Sequence, residues 1–129
     1  HPVEWNIGEA AGALAAFCIG TGQTPKTVHS DTDMLRVFQR DLLADGVPLT
    51  WLIDVPVWSP DFIAAQRLAM SRIFDESDSL DFGPEQEISA DERASWIGRV
   101  EGANVADPCG DCLTTRARFA AMMADAGRT

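Results

Sequence analysis

Apolar residues recur along most of this chain with the period of an α-helix. The clearest segment follows Ser30 and Asp31, either of which can cap the start of a helix. Its apolar positions lie on one helix face: Leu35, Phe38, Leu42 and Leu43. Gly46 is expected to end this helix, because glycine adopts the left-handed conformation that closes a helix. The pattern predicts an amphipathic helix that buries one side.

Proline at a helix start marks two further elements. In Thr24-Pro25 a capping threonine precedes proline at the first helical position, which favours a short helical turn. Ser59-Pro60 opens a longer predicted helix. The residues expected to shape that helix are Phe62, Ile63, Gln66, Leu68, Ala69 and Ile73.

The C-terminal part of the chain has its own turn and capping signals. Gly83-Pro84 marks a turn. Ser89 and Glu92 have the spacing of a capping box, which predicts a helix bearing Ala94, Ile97 and Val100. Thr114 is expected to cap a final helix that turns three residues inward: Phe119, Ala120 and Met123.

Residues 8–20, GEAAGALAAFCIG, predict a helix that is apolar on all sides, which is typical of a buried position. Its start is expected near Gly8. Gly8, Gly12 and Ala16 recur every four residues, so one stripe carries almost no side chains. Such a stripe allows a flat group or another backbone to approach closely. The alternative is that these small residues serve only helix packing.

Extended structure is expected only between the helices. Residues 48–56 read as extended, and a strand is conceivable only at residues 49–57. Trp51 and Trp58 supply large apolar side chains there, and the four tryptophans are expected to be core or interface anchors. The predicted fold class is mainly α: a small helical domain or bundle with short extended connections.

Composition limits the function classes. Hydrophobic residues make up 46% of the 129 residues, which is ordinary for a globular protein, and the formal net charge is −10. Because that charge repels a phosphate backbone, nucleic-acid binding is disfavoured. The apolar run 10–19 is shorter than the roughly 20 residues that span a bilayer, and no signal peptide pattern precedes it. The chain opens on this apolar segment, as expected for a piece of a longer protein.

The sequence HPVEWNIGEAAGALAAF at residues 1–17 resembles the last cofactor-binding block of FAD-dependent oxidoreductases, and the similarity continues through residue 46. The resemblance implies that residues 1–47 are the FAD-proximal C-terminal segment of a larger α/β flavoprotein. It places the backbone amides of Ile7, Gly8 and Glu9 at the flavin. The cofactor-binding residues it implies are Asn6, Ile7, Gly8, Glu9 and Gly12, and no catalytic residue is identified.

The Gly-rich fingerprint of these families is not found in this sequence. Residues 20–25, GTGQTP, end in proline and follow a helix instead of a strand, so they do not fit it. FAD is therefore expected only in the full-length protein, and this chain alone is expected to be inactive. The expected partner is the remainder of the flavoenzyme or a partner subunit, and an oligomer is compatible with this interpretation.

Residues 51–97 resemble the repeat of S-layer homology domains, and residues 113–120 are similar to the closing half of a second copy. That family implies helical bundles, some of which bind cell-wall polymers. The basic residue that typically follows the serine or threonine is missing at Ala90, whereas Arg116 follows Thr115. We therefore interpret residues 48–129 as a helical appendage that packs subunits. The alternative is an independent module that binds a polymer or a protein.

Other candidate sites have simpler interpretations. Cys109 and Cys112 have the spacing of a redox pair or half a zinc site, but a loop disulfide or two free thiols are favoured, and no metal site is predicted. Residues 75–92 hold eight acidic residues and no basic one, which predicts a solvated acidic surface. His1 and His29 have no evident catalytic partner, and His29 is expected at a helix end.

Overall fold

The computed structural model describes residues 2–71, 80–99, 107, 109–110 and 112–125. The chain divides into a first unit, His1–Leu49, and a second unit, Thr50–Thr129. The boundary predicted from the sequence lies after residue 47. The described residues are mainly helical, as the sequence predicts. In the ranges just given, no helix combines the length and apolar character that a membrane span requires.

The first unit consists of three helices: α1 (Pro2–Thr21), α2 (Pro25–Ser30) and α3 (Thr32–Ala44). The predicted cap of α2 is confirmed, because the Thr24 hydroxyl accepts a hydrogen bond from the Thr27 amide at 3.2 Å. Asp31 caps α3, since its carboxylate accepts from the Met34 amide at 3.0 Å. A small core joins the three helices: Cys18, Val28, Phe38, Leu42 and Val47.

Gly46 closes α3 as predicted. It has a positive φ of 78°, and its amide donates to the Leu43 carbonyl at 3.1 Å. The next amide, that of Val47, donates to the Leu42 carbonyl at 2.9 Å. This pair of bonds is a Schellman motif, which satisfies carbonyls that the helix end would leave unpaired.

Two expectations about α1 are wrong. The helix begins at Pro2 instead of near Gly8, because proline suits the first helical turn, Glu4 there complements the helix dipole, and no helix breaker intervenes before Gly8. The helix is also not buried. Within residues 9–20 only Cys18 is buried, because α2 and α3 cover one side of α1.

The second unit contains α4 (Phe62–Met70), β1 (Glu87–Ile88), α5 (Ala90–Arg99), β2 (Thr114–Thr115) and α6 (Arg116–Asp125). The two short strands pair antiparallel, with Glu87 opposite Thr115 and Ile88 opposite Thr114. Helix α4 packs against α6. The core side chains of this unit include Phe62, Leu68, Ile88, Trp96, Phe119 and Met123.

The conceivable strand at residues 49–57 does not form. The Thr50 backbone is bonded on both sides by one buried side chain: its amide donates to Gln66 Oε1 at 2.7 Å, and its carbonyl accepts from Gln66 Nε2 at 2.8 Å. A side chain thus takes the hydrogen bonds that a neighbouring strand would make. The strands of this unit lie instead just before α5 and α6.

The capping box before α5 is confirmed. The Ser89 amide donates to Glu92 Oε2 at 2.8 Å, and the Glu92 amide donates to Ser89 Oγ at 3.2 Å. The cap of α6 is Thr115, one residue after the predicted Thr114, because Thr115 directly precedes the helix and its hydroxyl accepts from the Arg118 amide at 3.3 Å. The expected inward residues of α6 are fully buried: Phe119, Ala120 and Met123.

Some predictions concern particular side chains. The turn at Gly83-Pro84 is confirmed by the Gln86 amide, which donates to the Gly83 carbonyl at 2.9 Å. His29 lies in the last turn of α2, as expected. The predictions on Ile73, on residues 75–79 and on Val100 fall outside the described residues.

Candidate functional site

Helix α1 exposes an apolar side that we call the outward face: Trp5, Gly8, Gly12, Ala16 and Ile19. Successive helical residues are rotated by about 100°, so these five residues align along one side. Trp5 is 82% exposed and Ile19 is 84% exposed. A Cβ atom added at Gly8 or Gly12 would have no neighbour within 4 Å. The outward face is therefore open, flat at its centre and bounded by two large apolar side chains.

The opposite side of α1 is packed. Its residues contact the core of the first unit: Ala10, Ala13, Leu14, Phe17 and Cys18. The Phe17 and Phe38 rings lie 5.3 Å apart between centroids. Helix α1 thus has two apolar sides, of which α2 and α3 cover one.

The five residues predicted to bind the cofactor have different surroundings. Gly8 and Gly12 lie on the outward face, and Glu9 is exposed at its margin. Ile7 is 63% exposed on another side of the helix. Asn6 points inward, where its Nδ2 donates to the Pro48 carbonyl at 3.0 Å and ties α1 to the segment after α3.

The backbone amides of Ile7, Gly8 and Glu9 lie inside α1. Amides within an α-helix donate to carbonyls four residues earlier, and only those of the first turn remain free for an anion or a ligand. Because that first turn begins at Pro2, the predicted helix terminus at Gly8 is not formed. The structure brings together Gly8 and Gly12, whereas Asn6 and Ile7 face elsewhere.

The second unit contains a buried arginine, Arg93, that is not among the site residues predicted from the sequence. Arg93 is 1% exposed, and its guanidinium donates three hydrogen bonds. They run from Nε to Asp107 Oδ2 at 3.0 Å, from Nη1 to the Ile88 carbonyl at 3.3 Å, and from Nη2 to the Gly110 carbonyl at 2.7 Å. A signal was available, because Arg93 shares a helix face with Trp96 and Ile97.

Asp107 connects this arginine to the cysteine pair. Its other oxygen, Oδ1, accepts from the Cys109 amide at 2.9 Å. Burial raises the pKa of Asp107, but the hydrogen bonds from the Cys109 amide and Arg93 outweigh it, so the pKa lies below the ordinary value. The carboxylate is therefore charged at neutral pH.

Cys109 and Cys112 form a disulfide. Gly110 between them has a positive φ of 60°, and the Cys112 amide donates to the Cys109 carbonyl at 3.3 Å. Among the described residues, no group of three or more His, Cys, Asp or Glu side chains could hold a metal ion. Of the alternatives left open by the sequence, the structure contains the loop disulfide.

Arg116, which the S-layer resemblance singles out, is only 5% exposed. Its Nη1 donates to the Phe82 carbonyl at 3.0 Å, and its Cζ lies 5.6 Å from the centroid of the Trp96 ring. Asp54 holds the same turn through the amides of Phe82 and Gly83, at 2.8 and 2.7 Å. Arg116 therefore stabilises the second unit internally.

The tryptophans divide into two groups. Trp96 is buried and packs against Phe119, with ring centroids 5.9 Å apart. The others are exposed: Trp5, Trp51 and Trp58. These three are not core residues of the described structure, and a role as interface anchors stays a prediction.

Comparison with known proteins does not assign the chain to a group. No family model matches it, and no curated protein or solved structure does.

Proposed function

We propose that residues 1–47 are the C-terminal, flavin-proximal segment of an FAD-dependent oxidoreductase, and that residues 48–129 are its helical appendage. The remainder of the flavoenzyme supplies the dinucleotide-binding fold and the catalytic groups, so this chain alone is inactive. The observation that carries the proposal is the exposed outward face of α1. Of the five residues that the resemblance implies, we propose that Gly8, Glu9 and Gly12 lie near the cofactor, whereas Asn6 and Ile7 are on other sides of α1.

The outward face favours contact with a further polypeptide. Burying a large apolar side chain stabilises a complex by about 1.5–3 kcal/mol. Trp5 and Ile19 are both more than four-fifths exposed. Covering both side chains would stabilise a complex by several times the thermal energy. Between them the backbone at Gly8 and Gly12 is bare, which suits a planar ring or a closely packed helix.

The exposure of α1 also bears on the competing hypothesis. An independent helical module requires residues 9–20 to be fully wrapped, whereas only Cys18 among them is buried. The flavoenzyme hypothesis predicts Gly8 at a helix N-terminus on an exposed surface; Gly8 is exposed, but it lies inside α1. Because α1 begins at Pro2, we propose that the cofactor approaches the glycine side of the helix instead of a helix terminus.

The test is the flavin absorbance of this chain and of the natural protein extended N-terminally. We expect FAD to copurify with the extended protein only. In that protein, Gly8→Val should weaken FAD binding by at least about tenfold, because a branched side chain occupies the approach to the bare backbone.

Gly20→Val is the matched control for that substitution. It makes the same change in the same helix, also with no neighbour within 4 Å, but about 120° away from Gly8 around the axis. A colourless extended protein would contradict the proposal. Equal FAD affinity in the Gly8 and Gly20 variants would contradict the placement of the cofactor.

A protein-interaction role for residues 48–129 is the second candidate. It is favoured by the exposed side chains of Trp51, Ile53 and Trp58, which lie close in sequence in the second unit. Polymer binding through Arg116 is disfavoured, because its guanidinium is buried and bonded to the Phe82 carbonyl. A colourless extended protein that still forms a stable complex through these side chains would support this alternative.

A further inference from the structure

The guanidinium of Arg93 depends on two residues next to the cysteine pair. Of its three acceptors, one is the Ile88 carbonyl, in β1. The other two belong to Asp107 and Gly110. Because a buried cation without acceptors is strongly destabilising, the position of these two residues controls the stability around α5.

The disulfide constrains both of those acceptors. Gly110 lies between the two cysteines in sequence, so the Cys109–Cys112 bond limits where its carbonyl can point. Asp107 is attached through its second oxygen to the Cys109 amide at 2.9 Å. The covalent bond therefore acts, through two short connections, on the hydrogen bonds of a side chain that is itself no part of the cysteine loop.

We propose that the Cys109–Cys112 disulfide is redox-sensitive and holds two hydrogen-bond acceptors of Arg93 in place. Its reduction then lowers the stability of the second unit. A thiolate of a dithiol reductant attacks one cysteine sulfur, the S–S bond breaks, and a mixed disulfide forms. The second thiol of the reductant then displaces that cysteine. Two electrons and two protons pass to Cys109 and Cys112, and the reductant leaves as its own disulfide.

Both sulfurs belong to half-buried residues, so a small dithiol can reach them. After reduction, the Gly110 carbonyl and the Asp107 carboxylate lose their common constraint, and Arg93 loses the fixed geometry of two acceptors. The proposed redox effect does not depend on flavin binding, because all residues involved lie in the second unit.

The experiment is thermal unfolding of the 129-residue chain with dithiothreitol or with its oxidised form. Reduction should lower the melting temperature by at least about 5 °C. The methionine of the Arg93→Met variant needs no hydrogen-bond acceptors. Reduction should therefore lower the melting temperature of this variant by less than half of the wild-type shift. Arg116→Met is the matched control: this buried arginine donates to Phe82, so the full shift should remain.

Hydrogen exchange of the wild-type chain tests the same redox effect without a substitution. Reduction should speed the exchange of the Cys109 amide, which donates to Asp107, more than that of the Phe82 amide, which donates to Asp54. Three results would overturn the proposal. They are free thiols at both cysteines before reduction, equal melting temperatures of the two forms, and an undiminished shift in a folded Arg93→Met protein.

Discussion

Asp107 illustrates how one carboxylate can make stability depend on pH. Its pKa in the folded protein is below the ordinary value of 3.8, because the Cys109 amide and Arg93 favour the charged form more than burial disfavours it. A depressed carboxylate pKa contributes stability above the pKa of the unfolded chain. That contribution is lost as the pH falls through the folded-state pKa.

We therefore expect the free energy of unfolding to decrease as the pH is lowered below about 4, where the unfolded chain takes up the proton first. Asp107→Asn should flatten this acid dependence and lower stability at neutral pH. Urea denaturation at several pH values measures both effects. Glu85→Gln, at an exposed position, is the control, and an identical pH profile in Asp107→Asn and Glu85→Gln would contradict the role of Asp107.

Single residues were predictable from the sequence when their partners were close in the chain. The bonds between Ser89 and Glu92 span three positions, so a spacing rule is enough to find them. Arg93 bonds to Asp107 and Gly110, which are 14 and 17 positions away. No local pattern specifies such pairs, because they depend on how the chain folds back.

At the scale of elements, the helix ends carry much of the specificity. Gly46 adopts a φ of 78°, a conformation that costs an L-residue roughly 1–2 kcal/mol. Gly46→Ala should therefore lower the free energy of unfolding of the chain by about 1 kcal/mol. Gly20→Ala is a control of opposite sign, because Gly20 lies within α1 with open space around it, and alanine there favours the helix.

Urea denaturation of both variants measures the two effects. Equal shifts of the same sign would contradict the role assigned to Gly46. The comparison works because both substitutions add one methyl group to a glycine that has no neighbour within 4 Å. The backbone conformation is then the difference that decides the sign.

The elements that sequence predicted well are those with both a periodic apolar face and a cap. Helix α3 has Asp31 before it and Gly46 after it, and its buried face follows the 3.6-residue period. Helix α1 lacks such a periodic contrast, since it is apolar on two opposite sides. The sequence therefore predicted a helix there but could not tell which side would be covered, or by what.

At the scale of the whole molecule, the outward face of α1 is an apolar surface that α2 and α3 do not cover. Exposed apolar side chains favour self-association, because each contact removes apolar surface from water. Replacing Trp5 and Ile19 together by glutamine should increase solubility and reduce binding of a hydrophobic dye. It should leave the melting temperature within a few degrees of the original, because neither side chain belongs to the core.

Phe17→Gln is the matched control for that double substitution. Phe17 lies on the covered side of α1 against Phe38 and the core of the first unit. Its replacement should lower the melting temperature and increase dye binding. Loss of the folded state in the Trp5 and Ile19 variant would show that the outward face is part of the core after all.

The uneven exposure of the four tryptophans makes the interior of the second unit optically distinguishable. The single indole of the first unit, Trp5, is 82% exposed, whereas Trp96 in the second unit is 7% exposed and lies under the Arg116 guanidinium. A water-soluble quencher extinguishes the emission of accessible indoles first and leaves a blue-shifted signal from the enclosed one. Fluorescence of the unmodified protein can therefore follow the interior of the second unit without any attached label.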